Sequence, residues 1–389
     1  MPLHQEVPWK NLKQRMTKGG SMSADQMTSL ERAKAIANGE QADRMPCNPN
    51  IANGTARVLG CKISEFSYDP KVFAKAQMAC VERFGGDSVR VFTDLFTWPE
   101  AMGAKVVIPE DDTADLLEPA IHDVKDIDKL RPADPYKDGR LPVHIEAMKW
   151  LREYADGIMP GVGAAVSGPF TLAFSLIGFD EMLRMIHKNP EAVHKLCQLA
   201  TETSIRWAEA AIDLGCGPAI SEPMSSCTVV SPKVFREFSL PYMKQLIDYM
   251  HTRNVNPVIH ICGQTDRIWE DLANLGIGGW SIDNVASLEE CKRLVGNKCK
   301  IMGNVDPGSV MYAGTPLDVR IGTLESLKAG WDSPKGFMVM SGCSLPVETP
   351  FENIDSMMDT MREVGYPVKE EKIDAMLEEA RFEKAKQEA

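Results

Sequence analysis

Short apolar runs, many of them β-branched, recur along the chain and alternate with stretches whose apolar residues fall three and four apart. Eight such runs stand out: 46–50 (PCNPN, the weakest), 89–94 (VRVFTD), 160–167 (PGVGAAVS), 217–222 (GPAISE), 256–262 (NPVIHIC), 279–284 (GWSIDN), 300–306 (KIMGNVD) and 337–343 (FMVMSGC). Between the later runs lie helical periodicities, as in Ile268, Trp269, Leu272 and Leu275, then Leu288, Cys291 and Leu294. Strands that alternate with helices imply parallel βα units. Eight units predict a (β/α)8 TIM barrel, whose strands are apolar throughout because both faces are covered.

Residues 1–26 are polar and are expected to form an N-terminal extension, with the barrel over 27–366. Residues 367–389 (VKEEKIDAMLEEARFEKAKQEA from 368) form a charged helical tail, either a solvated surface helix or one that docks a partner. The region 101–155 is longer than one helix needs and contains Pro109, Pro119, Pro132 and Pro135. It is expected to be an insertion that helps wall the active site. No internal repeat is visible.

Composition narrows the function classes. With 44% hydrophobic and 25% charged residues, the chain of 389 residues has the make-up of a globular protein with a full core. A net charge of −12 argues against a nucleic-acid or anionic-membrane surface, each of which needs a basic face. No apolar run approaches the roughly 18 to 20 residues that span a bilayer, and the N-terminus lacks a hydrophobic signal core. A cytoplasmic protein is expected. A homo-oligomer is compatible with the sequence but not indicated by it. The ten cysteines are then free thiols or metal ligands rather than disulfides. None forms a CxxC pair, so a structural zinc finger is excluded.

In such a barrel the chemistry sits at the C-terminal ends of the strands. Those ends carry Asn48 and Asn50, Asp94, Ser167, Glu222, His260 with Cys262, Asp283 with Asn284, Asn304 with Asp306, and Cys343. His260 and Cys262 are two apart, so a strand aims both at one face. Each alone reads as core filler. Together at a strand end, with Cys343 ending the last strand, they form a set that zinc favours, and three protein ligands leave a position open for catalysis. Glu222 is either an oxygen ligand or a hydrogen-bonding partner of substrate. The remaining cysteines (47, 61, 80, 197, 216, 227, 291 and 299) are expected in helices or loops as small apolar filler. His122, His144, His187, His194 and His251 are expected at the surface.

Several stretches resemble the uroporphyrinogen decarboxylase superfamily: MTSLERAKAIANGEQADRMPCNPN at 27–50, FGGDSVRVFTDL at 84–95, SGPFTLA at 167–173, SPKVFREFSLPYMKQLIDYMH at 231–251, HICG at 260–263, MGNVDP at 302–307 and GCSLPVETPFEN at 342–353. The resemblance covers about 27–366 and implies the same barrel. Two departures matter. The decarboxylases' Arg-rich loop for substrate carboxylates is replaced by RMPCNPNIANG, with Arg44 alone. Their GHG turn near the last strand is Gly342-Cys343-Ser344 here. The resulting H-x-C…C pattern resembles the zinc motif of the corrinoid-dependent methyltransferases in the superfamily, which include methylcobamide:coenzyme M methyltransferases, the chloromethane methyltransferase and O-demethylase components.

That resemblance implies an enzyme in which His260, Cys262 and Cys343 ligate Zn2+. A methyl group would move between a small substrate and the cobalt of a corrinoid (cobalamin) carried by a partner protein. Asp94, by position the counterpart of the decarboxylases' pyrrole-binding aspartate, would accept a hydrogen bond from substrate or be a buried structural residue. Asp283, Asn284, Asn304 and Asp306 would orient His260 or meet the corrinoid edge. The length of the chain tilts the expected substrate toward a methoxylated aromatic ether, with coenzyme M, a thiol, as the alternative.

Overall fold

A computed structural model describes residues 24–388. Of the expected N-terminal extension, 1–23 lie outside the described residues. All eight runs become strands of one parallel sheet: β1 (Cys47–Asn48), β2 (Arg90–Val91), β3 (Gly163–Ser167), β4 (Gly217–Ser221), β5 (Val258–Ile261), β6 (Gly279–Ile282), β7 (Lys300–Val305) and β8 (Phe337–Ser341). Their spatial order is β1-β8-β7-β6-β5-β4-β3-β2, each neighbour parallel. The sheet thus curls back on itself. Its ends meet where the Asp87 N–H donates to Cys47 O (3.0 Å) and the Ser88 N–H to Asn48 Oδ1 (3.1 Å). Cys47, fully buried, lies on a strand, which corrects its placement in a helix or loop.

Register decides which side chains share the lumen. Residues paired across parallel strands point to the same face, so Arg90, Gly163, Gly217, Ala219, His260, Ser281, Met302, Met340 and Asn48 all belong to one face. The alternate residues Val91, Ala164, Val166, Ile220, Ile259, Ile261, Trp280, Ile282 and Val339 are buried against the helices.

A buried charge cluster locks the base of β1. Arg32 pairs with Asp25 (3.1 Å), Asp43 (2.7 Å) and Asp87 (2.5 Å), while Arg44 pairs with Asp25 (2.6 Å) and Asp87 (2.5 Å). Arg362, from the helix Phe351–Val364, also reaches Asp25 (2.7 Å). Buried charges persist only when paired this fully. Asp25 is therefore bound to the core, inside the span expected to be an extension. Arg44 is fully committed and cannot hold a substrate carboxylate.

One surface expectation gains detail and another changes. The region 101–155 divides into a hairpin (Lys105–Val107 with Asp115–Glu118), a loop, and the barrel helix Leu141–Ala155. The hairpin and loop hold to the segments after β1 and to the helix after β3: the Ser64 N–H donates to Glu110 O, Asn53 Nδ2 to Thr113 Oγ1, and the Ile121 N–H to Leu176 O. The region reaches the strand ends through Arg140, described below. The charged tail is the helix Glu370–Gln387, and it is not simply solvated. Ile373, Met376, Leu377 and Ala380 are buried, and ion pairs join Asp374, Arg381 and Lys384 to Lys328, Glu325 and Asp318 on the helix Pro316–Gly330. No described helix is long and apolar enough to cross a membrane.

Candidate metal centre at the strand ends

β5 delivers His260 and Cys262 to the lumen, and the turn after β8 brings Cys343 to meet them. The ligand atoms of these three residues lie within 4.8 Å of one another, the only such trio of His, Cys, Asp or Glu among the described residues. His260 Nε2 is 3.1 Å from Cys262 Sγ, which is 3.4 Å from Cys343 Sγ. All three are half-buried. The Cys262 thiol holds the Cys343 thiol well below its ordinary value, against the cost of burial and with help from the His260 ring. Cys262 is pushed up by the same partner, because the two sulfurs share one proton. Thiolate is the form that ligates a soft metal.

The imidazole is held from behind. His260 Nδ1 lies 3.0 Å from Ser281 Oγ and 3.2 Å from Ser281 O, which turns Nε2 toward the sulfurs. Ser281 was not singled out in the sequence. It stands out only through the β5–β6 register, which pairs it with His260. Gly263 turns the chain just after Cys262 with φ +74°, and a Cβ there would lie 2.6 Å from Thr228 Oγ1. Its N–H donates to Asp283 Oδ2 at 2.6 Å.

The other expected site residues hold the loops around this trio. Asp283 fixes the Gly263 turn rather than the His260 ring. Asn304 Nδ2 donates to Asp283 O (3.1 Å) and Ala286 O (2.9 Å), tying down the loop after β6. Asp306 closes its own turn, accepting from Gly308 N–H (2.7 Å), Ser309 N–H (2.9 Å) and Ser309 Oγ (2.7 Å). None of the three is a hydrogen-bond partner of His260, whose Nδ1 lies against Ser281.

Glu222 is completely buried and is not in the metal-ligand trio. Its carboxylate accepts the N–H groups of Phe170 (3.1 Å) and Thr171 (2.7 Å) and the Thr171 hydroxyl. It therefore caps the start of the helix Pro169–Ile177, whose first amides have no partner within the helix. Gly168 must be glycine for this approach, since a Cβ there would stand 2.1 Å from Glu222 Oε2. Burial pushes the Glu222 carboxyl up to about 7, against these donors.

Asp94 is also enclosed. Arg140 forks onto both of its oxygens (2.8 and 3.1 Å), and Thr93 Oγ1 and the Phe96 N–H add 2.8 Å bonds. Burial would raise its carboxyl, but Arg140 and Thr93 hold it below the usual value. Both Asp94 oxygens are thus engaged by protein donors. His144 joins this cluster through Thr93 Oγ1 (3.2 Å) and is buried, which corrects its expected surface position. Burial, then Arg140, push its ring down to about 4.

The fold and the site together define a parallel βα barrel with a cysteine–histidine cluster at its carboxyl-terminal rim. The uroporphyrinogen decarboxylase (URO-D) family model matches residues 28–364, and the chain belongs to that family. Among characterised relatives, a methylated-thiol–coenzyme M methyltransferase of Methanosarcina mazei is 27% identical, over 88% of this chain and 91% of its own. A methylcobamide:CoM methyltransferase (MtaA) of Methanosarcina barkeri is 26% identical, over 86% and 97%. A uroporphyrinogen decarboxylase of Pseudoalteromonas atlantica is 26% identical, over 74% and 82%. A solved methyltransferase from Methanosarcina mazei superposes with a TM-score of 0.76 at 26% identity, covering 87% of this chain and 99% of that one.

Proposed function

We propose that the protein is a methyltransferase that moves a methyl group between a small substrate and a corrinoid carried by a separate protein, with Zn2+ held by His260, Cys262 and Cys343. The observation that carries this reading is the convergence of one imidazole and two sulfurs within 4.8 Å at the barrel rim. The donor set suits zinc in kind, and three ligands leave room for a fourth partner. Bound there, zinc would supply Lewis acidity, keeping a thiol deprotonated at neutral pH or stabilising a departing phenolate.

The chain's own residues supply the rest. Ser281 fixes the imidazole, Asp283 fixes the turn that carries Cys262, and the β8 turn presents Cys343. Asn304 and Asp306 hold the surrounding loops in shape. Glu222 and Asp94 are assigned to building the rim.

The relatives support a thiol as methyl partner, because several carry coenzyme M in their names. Chain length gives the ether little support. The methyltransferase relatives are spanned almost end to end, and the family match leaves only 1–27 and 365–389 outside. The test is a pair of assays with methylcobalamin and Co(I) cobalamin. Demethylation of methylcobalamin on addition of coenzyme M supports the thiol reading. Formation of methylcobalamin from a methoxyarene would replace it with the ether reading. Activity in neither assay, from zinc-loaded protein, would overturn the methyltransferase assignment.

A further inference from the structure

Three arginines are buried in this barrel, and a fourth, Arg90, is half-buried and unlike the rest. Arg32, Arg44 and Arg140 each pair with two or more carboxylates. Arg90 has no carboxylate within salt-bridge distance among the described residues. Its one hydrogen bond there runs from Nη2 to Asn50 Oδ1, at 3.0 Å. Its guanidinium also lies 5.1 Å from the Phe92 ring centroid. A guanidinium carries five N–H donors, so most of those on Arg90 are left without a protein acceptor.

The register explains where those donors point. Arg90 pairs with Gly163, which pairs with Gly217, so the two strands beside it carry no side chain at its level. Arg90 shares this face with His260 through the chain of paired residues that runs across β3, β4 and β5. It lines a cavity of about 70 Å³ together with Asn48, Asn50, Phe92 and Met340. Asn50 connects it to the metal centre, since Asn50 Nδ2 donates to Ser344 Oγ (3.3 Å), next in sequence to Cys343. Burial lowers the Arg90 pKa, with the nearby Cys343 acting the other way. A half-buried cation without a counter-charge still carries part of the cost of leaving water, which an anion beside it would offset.

We propose that Arg90 is the anchor for an anionic group on the small methyl donor or acceptor, a carboxylate or sulfonate whose reacting sulfur or oxygen sits at the His260–Cys262–Cys343 cluster. This rests on the proposed methyl-transfer reading and narrows its substrate to organic anions. The fork geometry of guanidinium suits a planar or tetrahedral oxyanion, which takes two parallel N–H bonds. Asn48 and Asn50 add side-chain amides at the same wall. Arg90 thereby sets specificity without touching the transferred methyl.

The test measures binding apart from turnover. Titration calorimetry compares 2-mercaptoethanesulfonate and 3-mercaptopropionate with neutral 2-mercaptoethanol, on zinc-loaded wild type, Arg90→Met and Arg90→Lys. Wild type is expected to bind the two anions about 10- to 100-fold more tightly than the neutral thiol, the range of a charge-assisted hydrogen-bonded contact. Arg90→Met should lose that preference while keeping its zinc and its affinity for 2-mercaptoethanol. Arg90→Lys, which retains the charge without the fork, should retain part of it. An undiminished anion preference in Arg90→Met, or no preference in wild type, would overturn the proposal. The methyl-transfer reading fails separately: anion preference would persist while the cobalamin assays stayed silent.

Discussion

Ser281 Oγ lies 3.0 Å from Nδ1 of His260, across the β5–β6 pair, so a hydroxyl on the next strand orients the only imidazole at the metal centre. Removing such a partner leaves the ligand in place but unsteered. Ser281→Ala is expected to fold normally and to weaken zinc binding about 10- to 100-fold. Competition with a chelator of known affinity measures this. An unchanged affinity would assign His260 orientation to the Ser281 carbonyl alone.

Purified protein is expected to hold about one zinc per chain, as a site with three protein ligands would. Cys262→Ser and Cys343→Ser should each lose most of it. Elemental analysis with circular dichroism of the same samples checks the point. Folded variants with full zinc would remove these two cysteines from the site.

The Asp94–Arg140 pair predicts a different phenotype from the metal cluster. Arg140 bonds buried Asp94 twice and half-buried Glu100 once. Arg140→Leu strands a buried carboxylate and should cost about 3 to 5 kcal/mol of stability, with zinc content unchanged in the folded fraction. Urea unfolding gives the number. A loss below about 1 kcal/mol would mean that Asp94 is free to serve substrate.

His144 predicts acid sensitivity with a definite sign. Its ring is pushed down to about 4 from an unfolded value of 6.5, so the unfolded chain binds more protons in between. The stability it contributes is full above pH 6.5 and falls away toward pH 4, by up to about 3 kcal/mol at 1.36 kcal/mol per unit. Glu222 acts oppositely over roughly pH 4.5 to 7, since its folded value is raised. The wild-type curve alone therefore mixes the two. Comparing wild type with His144→Gln at pH 7 and pH 4.5 separates them, and equal slopes would place the His144 pKa near its ordinary value.

Much of this architecture was legible from residue patterns, and the exceptions share a cause. Apolar runs gave the later strands, because a parallel strand buried on both faces has few other compositions open to it, while the first, in PCNPN, carried the weakest signal. His260, Cys262 and Cys343 were found because their donor chemistry is rare at strand ends. Ser281 was missed since a serine on a strand carries no such mark until the register sets it beside a histidine. Asp94 and Glu222 stood out as acids at strand ends, but their partners Arg140, Phe170 and Thr171 lie about 50 residues away. Pattern reading does not see those partners. His144, expected at the surface, is flanked by Val143 and Ile145, and its helix turns it inward.

The closing helix bears on how the chain is handled. Ile373, Met376, Leu377 and Ala380 cover the flank of the helix Pro316–Gly330, and Asp318, Glu325 and Lys328 meet their counter-charges there. Cutting the polypeptide before Glu370 would bare an oily strip on the outer ring and strip three charges of their mates. Such a shortened protein should stick to itself in solution while its rim chemistry, at the strand ends, stays assembled.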